Sequence, residues 1–235
     1  MTKFLLEADH KIPPYLNAQA NKACTRVETL LGVEVKDLLI KVVRTREEME
    51  GKVGQPLHSM TRGIFLTDEN TIMIVEPRSP EEAFVLITHE LTHLFTSRIP
   101  SMDKIGMLPW FFEGLAVYIS EQDHLMKSTD MPGLDETALQ LAKAEIWINT
   151  DPDKSLVWWM SGQASQTEMA AVFAQGYSWI KWLVTTTSQE SIRTIYMALV
   201  QGESFQEALR VLTGRDLDTL MADWRRYITA GLKQI

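Results

Sequence analysis

The sequence predicts an α+β fold in which the strands precede the helices. Runs with strand-like composition lie before residue 80. From residue 80 onward, apolar residues recur mostly at helical spacing. Strands and helices do not alternate, which argues against a parallel βαβ architecture. We therefore expect one unit made of a mixed N-terminal lobe, about residues 1–97, and a helical C-terminal lobe, about residues 98–235, with a cleft between them.

The N-terminal lobe is predicted to hold a small sheet and two helices. Apolar residues share one face of the first helix, and Gly32 supplies its stop. Thr45 is a suitable N-cap for the second, short helix. Two β-rich runs around a short polar turn predict a hairpin. The predicted helices span 15–31 and 45–51, and the predicted strands span 37–43, 62–67 and 71–76.

The next helix, 79–97, is the most strongly marked element. Ser79 is a good N-cap, Pro80 suits the first helical position, and Glu82 would complete a capping box with Ser79. Apolar residues at helical spacing then form a stripe along the segment. The segment is therefore predicted to be an amphipathic helix with a fixed start.

This helix carries His89-Glu90-Leu91-Thr92-His93, an H-E-x-x-H motif. His89 and His93 are four residues apart, so they lie on one face, one turn apart. Two imidazoles at that spacing can both reach one Zn²⁺ at about 2.0–2.1 Å. Glu90 is rotated away from this line but stays near the metal, where it can accept a proton from a water held there.

A simpler interpretation treats these three residues as ordinary polar residues on a half-exposed helix. The capped helix around them favours a metal site, as does the scarcity of histidine, of which the chain has five. A metal-free descendant of such a site stays open.

The C-terminal lobe is predicted to consist of helices with irregular connections. Pro109 opens the first helix, Asp216 caps the last, and Gly214 ends the one before it. The predicted helices span 109–122, 137–148, 167–186, 190–200, 205–213 and 217–232, and the predicted irregular segments span 98–108, 123–136 and 149–166. His10, His58 and His124 fall in loop-like segments and are expected to be solvated.

A catalytic zinc takes three protein ligands, and Glu113 is the best candidate for the third. It is the charged residue of an apolar helical segment, where an unpaired carboxylate would be costly to bury. Gly114 and Ala116 are small and would let this helix approach the motif helix closely. The alternative is a surface position on an amphipathic helix, but the bulky neighbours of Glu113 leave little room for a solvated face.

The motif and the segment 109–116, PWFFEGLA, resemble the gluzincin metallopeptidases, specifically the peptidase MA-like group. The segments 173–183, FAQGYSWIKWL, and 202–209, GESFQEAL, are similar to the C-terminal pattern of that group. The resemblance covers the chain from about Tyr15 onward. It is closest at the metal site and looser elsewhere.

The resemblance implies a zincin-like, thermolysin-type fold with one Zn²⁺ per chain. His89, His93 and Glu113 would be its ligands and Glu90 the general base. The thermolysin-type pattern has an acidic residue four positions after the glutamate ligand, where it supports a ligand histidine. This chain has Val117 there, so that support must come from elsewhere.

Hydrolysis of an amide also needs a hydrogen-bond donor for the developing oxyanion. We assign this role to Tyr177, which follows Gly176 in the helical lobe and carries a neutral phenol O–H. The alternative is that Tyr177 is a core aromatic residue. Tyr118 and His124 are the other candidates for the donor.

The function predicted from these residues is zinc-dependent hydrolysis of peptides or unfolded protein. Two alternatives stay open: a catalytically inactive zinc- or peptide-binding module on the same fold, and a metal-dependent hydrolase of non-peptide amides or esters. Strand Ile72 to Val75 runs directly into the motif helix. We expect it to be a sheet edge facing the cleft, where an extended peptide could pair with it.

The composition narrows the class further. The net charge is −8 and the chain has no basic stripe, which makes nucleic acid and anionic membranes unfavourable partners. No apolar run reaches the length of a membrane span. The one cysteine, Cys24, cannot form an intrachain disulfide and is expected to be buried and inert. A signal peptide is not visible in the sequence, so a cytoplasmic location is slightly favoured.

Overall fold

The computed structural model describes residues 3–58, 61–100, 109–128, 131–148 and 165–230. A four-stranded sheet organises the N-terminal lobe. Its strands are β1 (Phe4–Ala8), β2 (Leu38–Val43), β3 (Gly63–Leu66) and β4 (Thr71–Val75). The strand order is β1-β2-β4-β3, in which β1, β2 and β4 are parallel and β3 is antiparallel to β4.

Most helices lie on one face of this sheet or in the C-terminal lobe, and the second helix lies on the opposite face. Three lie in the N-terminal lobe: α1 (Leu16–Leu31), α2 (Arg46–Val53) and α3 (Pro80–Thr96). Seven more follow within the described residues: α4 (Pro109–Ile119), α5 (Gln122–Ser128), α6 (Leu134–Lys143), α7 (Gln166–Thr186), α8 (Glu190–Val200), α9 (Phe205–Thr213) and α10 (Leu217–Thr229). The α+β class is thus confirmed, with the four strands clustered before residue 80 and only helices among the regular elements described after it.

Most helix boundaries follow the local signals. Gly32 and Gly214 adopt the left-handed conformation, with φ of 70° and 72°, at the ends of α1 and α9. Thr45, Ser79 and Asp216 each accept a backbone N–H from the first turn of the helix that they precede. The predicted hairpin is also present, as β3 and β4 joined by a short 3-10 turn.

The first strand was not predicted, and it changes the topology. β1, α1 and β2 form a parallel crossover unit, contrary to the expectation that such a unit is absent. The apolar run at residues 4–6 is too short to stand out in the sequence. It becomes a strand because β2 offers it a parallel edge, with Phe4 opposite Leu38 and Ala8 opposite Val42.

Two predictions about connections differ from the structure. The segment 123–136 was predicted to be irregular, but it contains most of α5 and the start of α6. The Asp123 carboxylate explains the early start of α6, because Oδ1 accepts the Leu134 N–H at 2.6 Å and caps that helix from another element. The helix also ends earlier than predicted, at Lys143 rather than at 148. The predicted irregular segments at 98–108 and 149–166 lie largely outside the described residues.

The prediction that Ile72 to Val75 forms a sheet edge is wrong. This strand, β4, is paired on both sides, with β2 and with β3. The edge beside the motif helix is β3. The short hairpin turn places β3 outside β4, while parallel pairing with β2 fills the other side.

The main apolar core lies between one sheet face and the helices. It joins Ile40 and Ile72 of the sheet to Leu91 of α3 and to Trp179 and Trp224 of the helical lobe, all 0% exposed. A smaller cluster on the opposite sheet face lies under α2 and consists of Val43, Met49, Ile64 and Met73. Among the helices of the described ranges, none is long and apolar enough to cross a bilayer.

A backbone contact between two glycines joins α4 to α7. A Cβ added at Gly114 would lie 2.3 Å from the Gly176 carbonyl carbon. A Cβ added at Gly176 would lie 2.4 Å from the Trp110 carbonyl oxygen. Gly114 was predicted to allow close approach to the motif helix, but the helix that it admits is α7. The aromatic side chains of Trp110 and Trp179 pack edge to face beside this crossing, with ring centroids 5.2 Å apart.

We predict that Gly176→Ala destabilises the fold by about 1–3 kcal/mol, because the new methyl group must push apart two helix backbones. Urea unfolding measures this loss. Gly51→Ala is the matched control, since a Cβ there meets nothing within 4 Å in α2. That change should be neutral or stabilise by up to about 1 kcal/mol. Equal stability of the two variants would contradict the proposed role of the crossing.

Candidate metal centre

The start of α3 is fixed by three side chains, which sets the position of the motif. The Ser79 hydroxyl accepts the Glu82 N–H at 3.1 Å, as predicted. The reciprocal bond of a capping box is absent, because Glu82 Oε2 instead accepts the Arg78 N–H at 2.6 Å. The Glu82 carboxylate also pairs with Arg62, whose other guanidinium nitrogen donates to the Glu76 carbonyl. The start of α3 is thus tied to the beginning of β3.

The three predicted ligands come together. The Nε2 atoms of His89 and His93 are 3.0 Å apart. Glu113 Oε2 lies 3.5 Å from His89 Nε2 and 3.3 Å from His93 Nε2. Ligands at about 2.0–2.1 Å from a tetrahedral Zn²⁺ are separated by about 3.3 Å. The three donor atoms therefore match the edges of such a tetrahedron.

This cluster is poorly satisfied by protein groups alone. Glu113 Oε2 is buried and accepts no hydrogen bond of good geometry from the described residues, although two imidazole nitrogens face it. A buried acceptor left without a partner costs about 1–3 kcal/mol, and more when it is charged. A cation between the three atoms would remove that cost. The donor set of two imidazoles and one carboxylate suits zinc.

The surroundings of Glu113 favour its ionised form. Burial on its own would raise the pKa of this carboxyl. The two imidazoles beside the carboxylate outweigh burial and hold the pKa of Glu113 well below its usual range. The residue is thus suited to act as an anionic ligand.

Glu90 has the opposite environment. It is 7% exposed, and burial raises the pKa of its carboxyl to about 7, with the negative charge of Glu113 adding to the rise and His89 opposing it. Its carboxylate stands directly against the backbone of Gly63 in β3, where a Cβ would lie 2.5 Å from Oε1. A side chain at position 63 would therefore displace Glu90. No local pattern in the sequence indicates this contact, because it joins two segments that are separate along the chain.

Two aromatic rings flank the histidines. Phe65 of β3 lies against His93, with ring centroids 5.7 Å apart and planes tilted by 31°. Phe173 of α7 stacks on His89, with centroids 6.2 Å apart and planes within 16°. Sequence reasoning assigned neither ring a role. Phe173 belongs to the segment that carries the family resemblance, and this was the one available signal for it.

The support for the ligand histidines differs from the thermolysin-type pattern, as expected. Val117 is fully buried and apolar. His89 Nδ1 is buried, and none of the described residues accepts a hydrogen bond from it. The part of the chain that the structure describes therefore supplies no hydrogen bond of the kind that usually orients a ligand imidazole on this side of His89.

The oxyanion role predicted for Tyr177 finds no support in the contacts of its hydroxyl. That hydroxyl is buried and donates to Asp123 Oδ2 at 3.3 Å. Burial, together with the charges of Asp123 and Asp135, holds the phenol pKa far above its usual range. A phenol whose single O–H is committed to a carboxylate cannot donate to a second acceptor at the same time.

Four further side chains that stood out in the sequence have different surroundings. The Tyr118 ring packs against Tyr177, with centroids 6.3 Å apart. His124 is exposed on α5. The prediction that His10 is solvated is wrong. Its side chain is 7% exposed, and Nε2 lies 3.4 Å from a Glu76 carboxylate oxygen. Cys24 is buried as predicted, and burial raises the pKa of its thiol to about 12.

The fold and the cluster of two histidines and one glutamate define a metallopeptidase-like protein. The family model described as Peptidase MA superfamily matches residues 19–230. The chain therefore belongs to the peptidase MA superfamily. A search of curated proteins found no match.

We predict that Tyr177→Phe lowers the free energy of unfolding by about 1 kcal/mol, since one hydrogen bond is lost. Asp123 would keep Lys127 and the Leu134 N–H as partners. Tyr118→Phe is the control, because its hydroxyl makes no hydrogen bond to a described residue, and it should change stability much less. Urea unfolding at pH 7 compares the two variants. Normal stability of Tyr177→Phe together with a large loss of any hydrolytic turnover would restore the oxyanion role.

Proposed function

We propose that this chain is a zinc-dependent metallopeptidase that holds one Zn²⁺ through His89, His93 and Glu113. The observation that carries the proposal is the convergence of three donor atoms, 3.0–3.5 Å apart, beside the buried carboxylate of Glu90. Membership of the peptidase MA superfamily supports it. The substrate class would be peptides or unfolded protein.

A zinc ion in this site would supply Lewis-acid chemistry, acidifying a water molecule and polarising the substrate carbonyl. Glu90 is the group that would take the proton from that water and pass it to the leaving amine. It is suited to this because Gly63 leaves its carboxylate room beside the cluster. As ligands, Glu113 would stay ionised and the two histidines would stay neutral, so none of the three would take up a proton.

The outer edge of β3, which pairs with no other strand of the described residues, is the surface on which we place the substrate backbone. The Val75 N–H donates to the Arg62 carbonyl, and Gly63 pairs with Ile74 in the antiparallel register. Hydrogen-bonded and non-hydrogen-bonded pairs alternate along such a ladder. The N–H and C=O groups of Gly63 and Phe65 therefore point away from β4.

These two residues are also the ones that contact the site. Gly63 lies against Glu90 and Phe65 against His93. An extended peptide paired with them would pass directly beside the three ligands, in the manner of strand addition. Because such pairing uses only the peptide backbone, substrates of different sequence would be placed in the same way beside the three ligands.

The two alternative functions are separated by simple measurements. A binding module would retain zinc and bind peptide without cleaving it. A hydrolase of non-peptide amides or esters would cleave small amides while leaving an unstructured protein intact. The buried, closely packed Glu90 favours a hydrolase over a binding module, since binding alone needs no general base.

We predict that His89→Ala, His93→Ala and Glu113→Ala each weaken zinc binding by more than the roughly 10–100-fold that loss of an outer-shell partner costs. The His89→Ala/His93→Ala double variant should bind none tightly. Chelator competition and elemental analysis measure this. His124→Ala is the control, because this exposed histidine should leave the affinity unchanged. Full zinc content in the double variant would refute the site.

We predict that Glu90→Gln keeps its zinc and its fold but hydrolyses an unstructured protein about 10²–10⁴ times more slowly, the usual cost of losing a general base. Glu81→Gln is the control, because Glu81 is exposed in the first turn of the same helix. This variant should hydrolyse the protein at the wild-type rate. Turnover of Glu90→Gln at the wild-type rate would rule out the assignment.

We predict that Phe65→Pro lowers kcat/KM further than Phe65→Ala does. Both variants lose the ring, but only proline removes the N–H that points to the substrate. An edge strand tolerates proline where the N–H faces outward. The difference should be about 5–10-fold, corresponding to one hydrogen bond of roughly 1 kcal/mol. Identical kinetics of the two folded variants would place the substrate elsewhere.

A further inference from the structure

The ligand His89 has one ring nitrogen whose environment is unusual. Nδ1 is buried, and no described residue accepts a hydrogen bond from it. A metal-bound histidine normally donates its second N–H, and that bond fixes the plane of the ring. Something else must therefore hold the His89 imidazole in the orientation that aims Nε2 at His93 and Glu113.

Two rings contact the imidazole, and they differ in kind. The His93 ring meets it nearly edge-on, with centroids 4.7 Å apart and planes at 76°. The Phe173 ring is nearly parallel to it, at 16° and 6.2 Å, which is an offset stack. A parallel ring restricts rotation of the imidazole about its own χ2 axis. Phe65 lies against His93 at 31° and so provides no such parallel face there.

The position of Phe173 makes the contact rigid. It lies on α7 three residues before Gly176, so the two residues share a side of the helix. Gly176 is the point at which α7 meets the backbone of α4. The same helix face thus fixes both the location of Glu113 on α4 and the plane of His89 on α3.

We propose that Phe173 is the positioning residue of His89, and that its stacked ring takes the orienting role of the hydrogen bond that Nδ1 donates to none of the described residues. The inference rests on the proposed zinc site and adds to it the means by which this chain orients its first histidine. Phe173 itself touches neither zinc nor the reacting atoms. Its effect on the site passes through the imidazole plane.

Stacking by the Phe173 ring and simple filling of apolar space predict different effects of substitution. If Phe173 only fills space, leucine or methionine will serve as well. If the stack matters, tyrosine will preserve the site and both aliphatic residues will weaken it. Phe173 is partly exposed, so each of these side chains can be accommodated.

Zinc affinity by chelator competition and the visible spectrum of the Co²⁺-substituted protein test this. Phe173→Leu and Phe173→Met should weaken zinc binding by about 10–100-fold, the range for loss of an outer-shell partner, and should shift the Co²⁺ bands. Phe173→Tyr should match wild type in both measurements. Tyr227→Leu in α10 is the control for loss of a half-buried ring and should also match wild type.

The outcomes separate this inference from the proposed function. Unchanged affinity and spectrum in Phe173→Leu, with zinc bound normally, would overturn the positioning role and leave the zinc site standing. Absence of zinc binding by the wild type would overturn both. If Phe173→Leu does not fold, Phe173→Met decides, since the unbranched, flexible methionine side chain adapts to the space that the ring leaves.

Discussion

The cluster of His89, His93 and Glu113 depends on the close contact between the backbones at Gly114 and Gly176. Glu113 immediately precedes Gly114, so the depth at which α4 packs on α7 sets how far its carboxylate reaches toward α3. A metal site tolerates deviations of about 0.2 Å in its ligand distances. Even one methyl group at this crossing would exceed that tolerance, because each Cβ would fall within 2.3–2.4 Å of main-chain atoms. The glycines therefore serve the geometry of a site that they do not touch.

Two glutamates in this centre have been given opposite properties by their surroundings. Glu113 faces both histidines and is held in the ionised form although it is buried. Glu90 faces a glycine backbone, and burial raises its pKa to about 7. Titratable groups whose environments push their pKa values apart are typical of sites in which one carboxyl binds and the other carries a proton. The difference arises from neighbours, since the two side chains are chemically identical.

Sequence reasoning succeeded where the signal was local. The cap at Ser79, the glycine stops and the helical spacing of the two histidines are each contained in a few residues, and Glu113 stood out as a charge among apolar neighbours. It failed where the determining contact was non-local. β1 exists because β2 offers it an edge, and the edge beside the site is β3 because β2 occupies the other side of β4. The assignment of the oxyanion role to Tyr177 relied on the glycine before it, and the structure gives that glycine a different role, because Gly176 meets the backbone of α4.

Each lobe supplies one aromatic ring that contacts one of the two histidines of the site. Phe65, from the sheet edge, lies against His93, and Phe173, from the helical lobe, lies against His89. The backbone of Phe65 also points to the open edge on which we place the substrate. A peptide that paired there would press on the strand whose ring contacts a ligand, so substrate binding and ligand orientation would be mechanically linked on that wall. The opposite wall is anchored through the Gly114–Gly176 crossing instead, so under the proposed function His89 would keep its orientation when substrate binds and His93 would respond to the substrate strand.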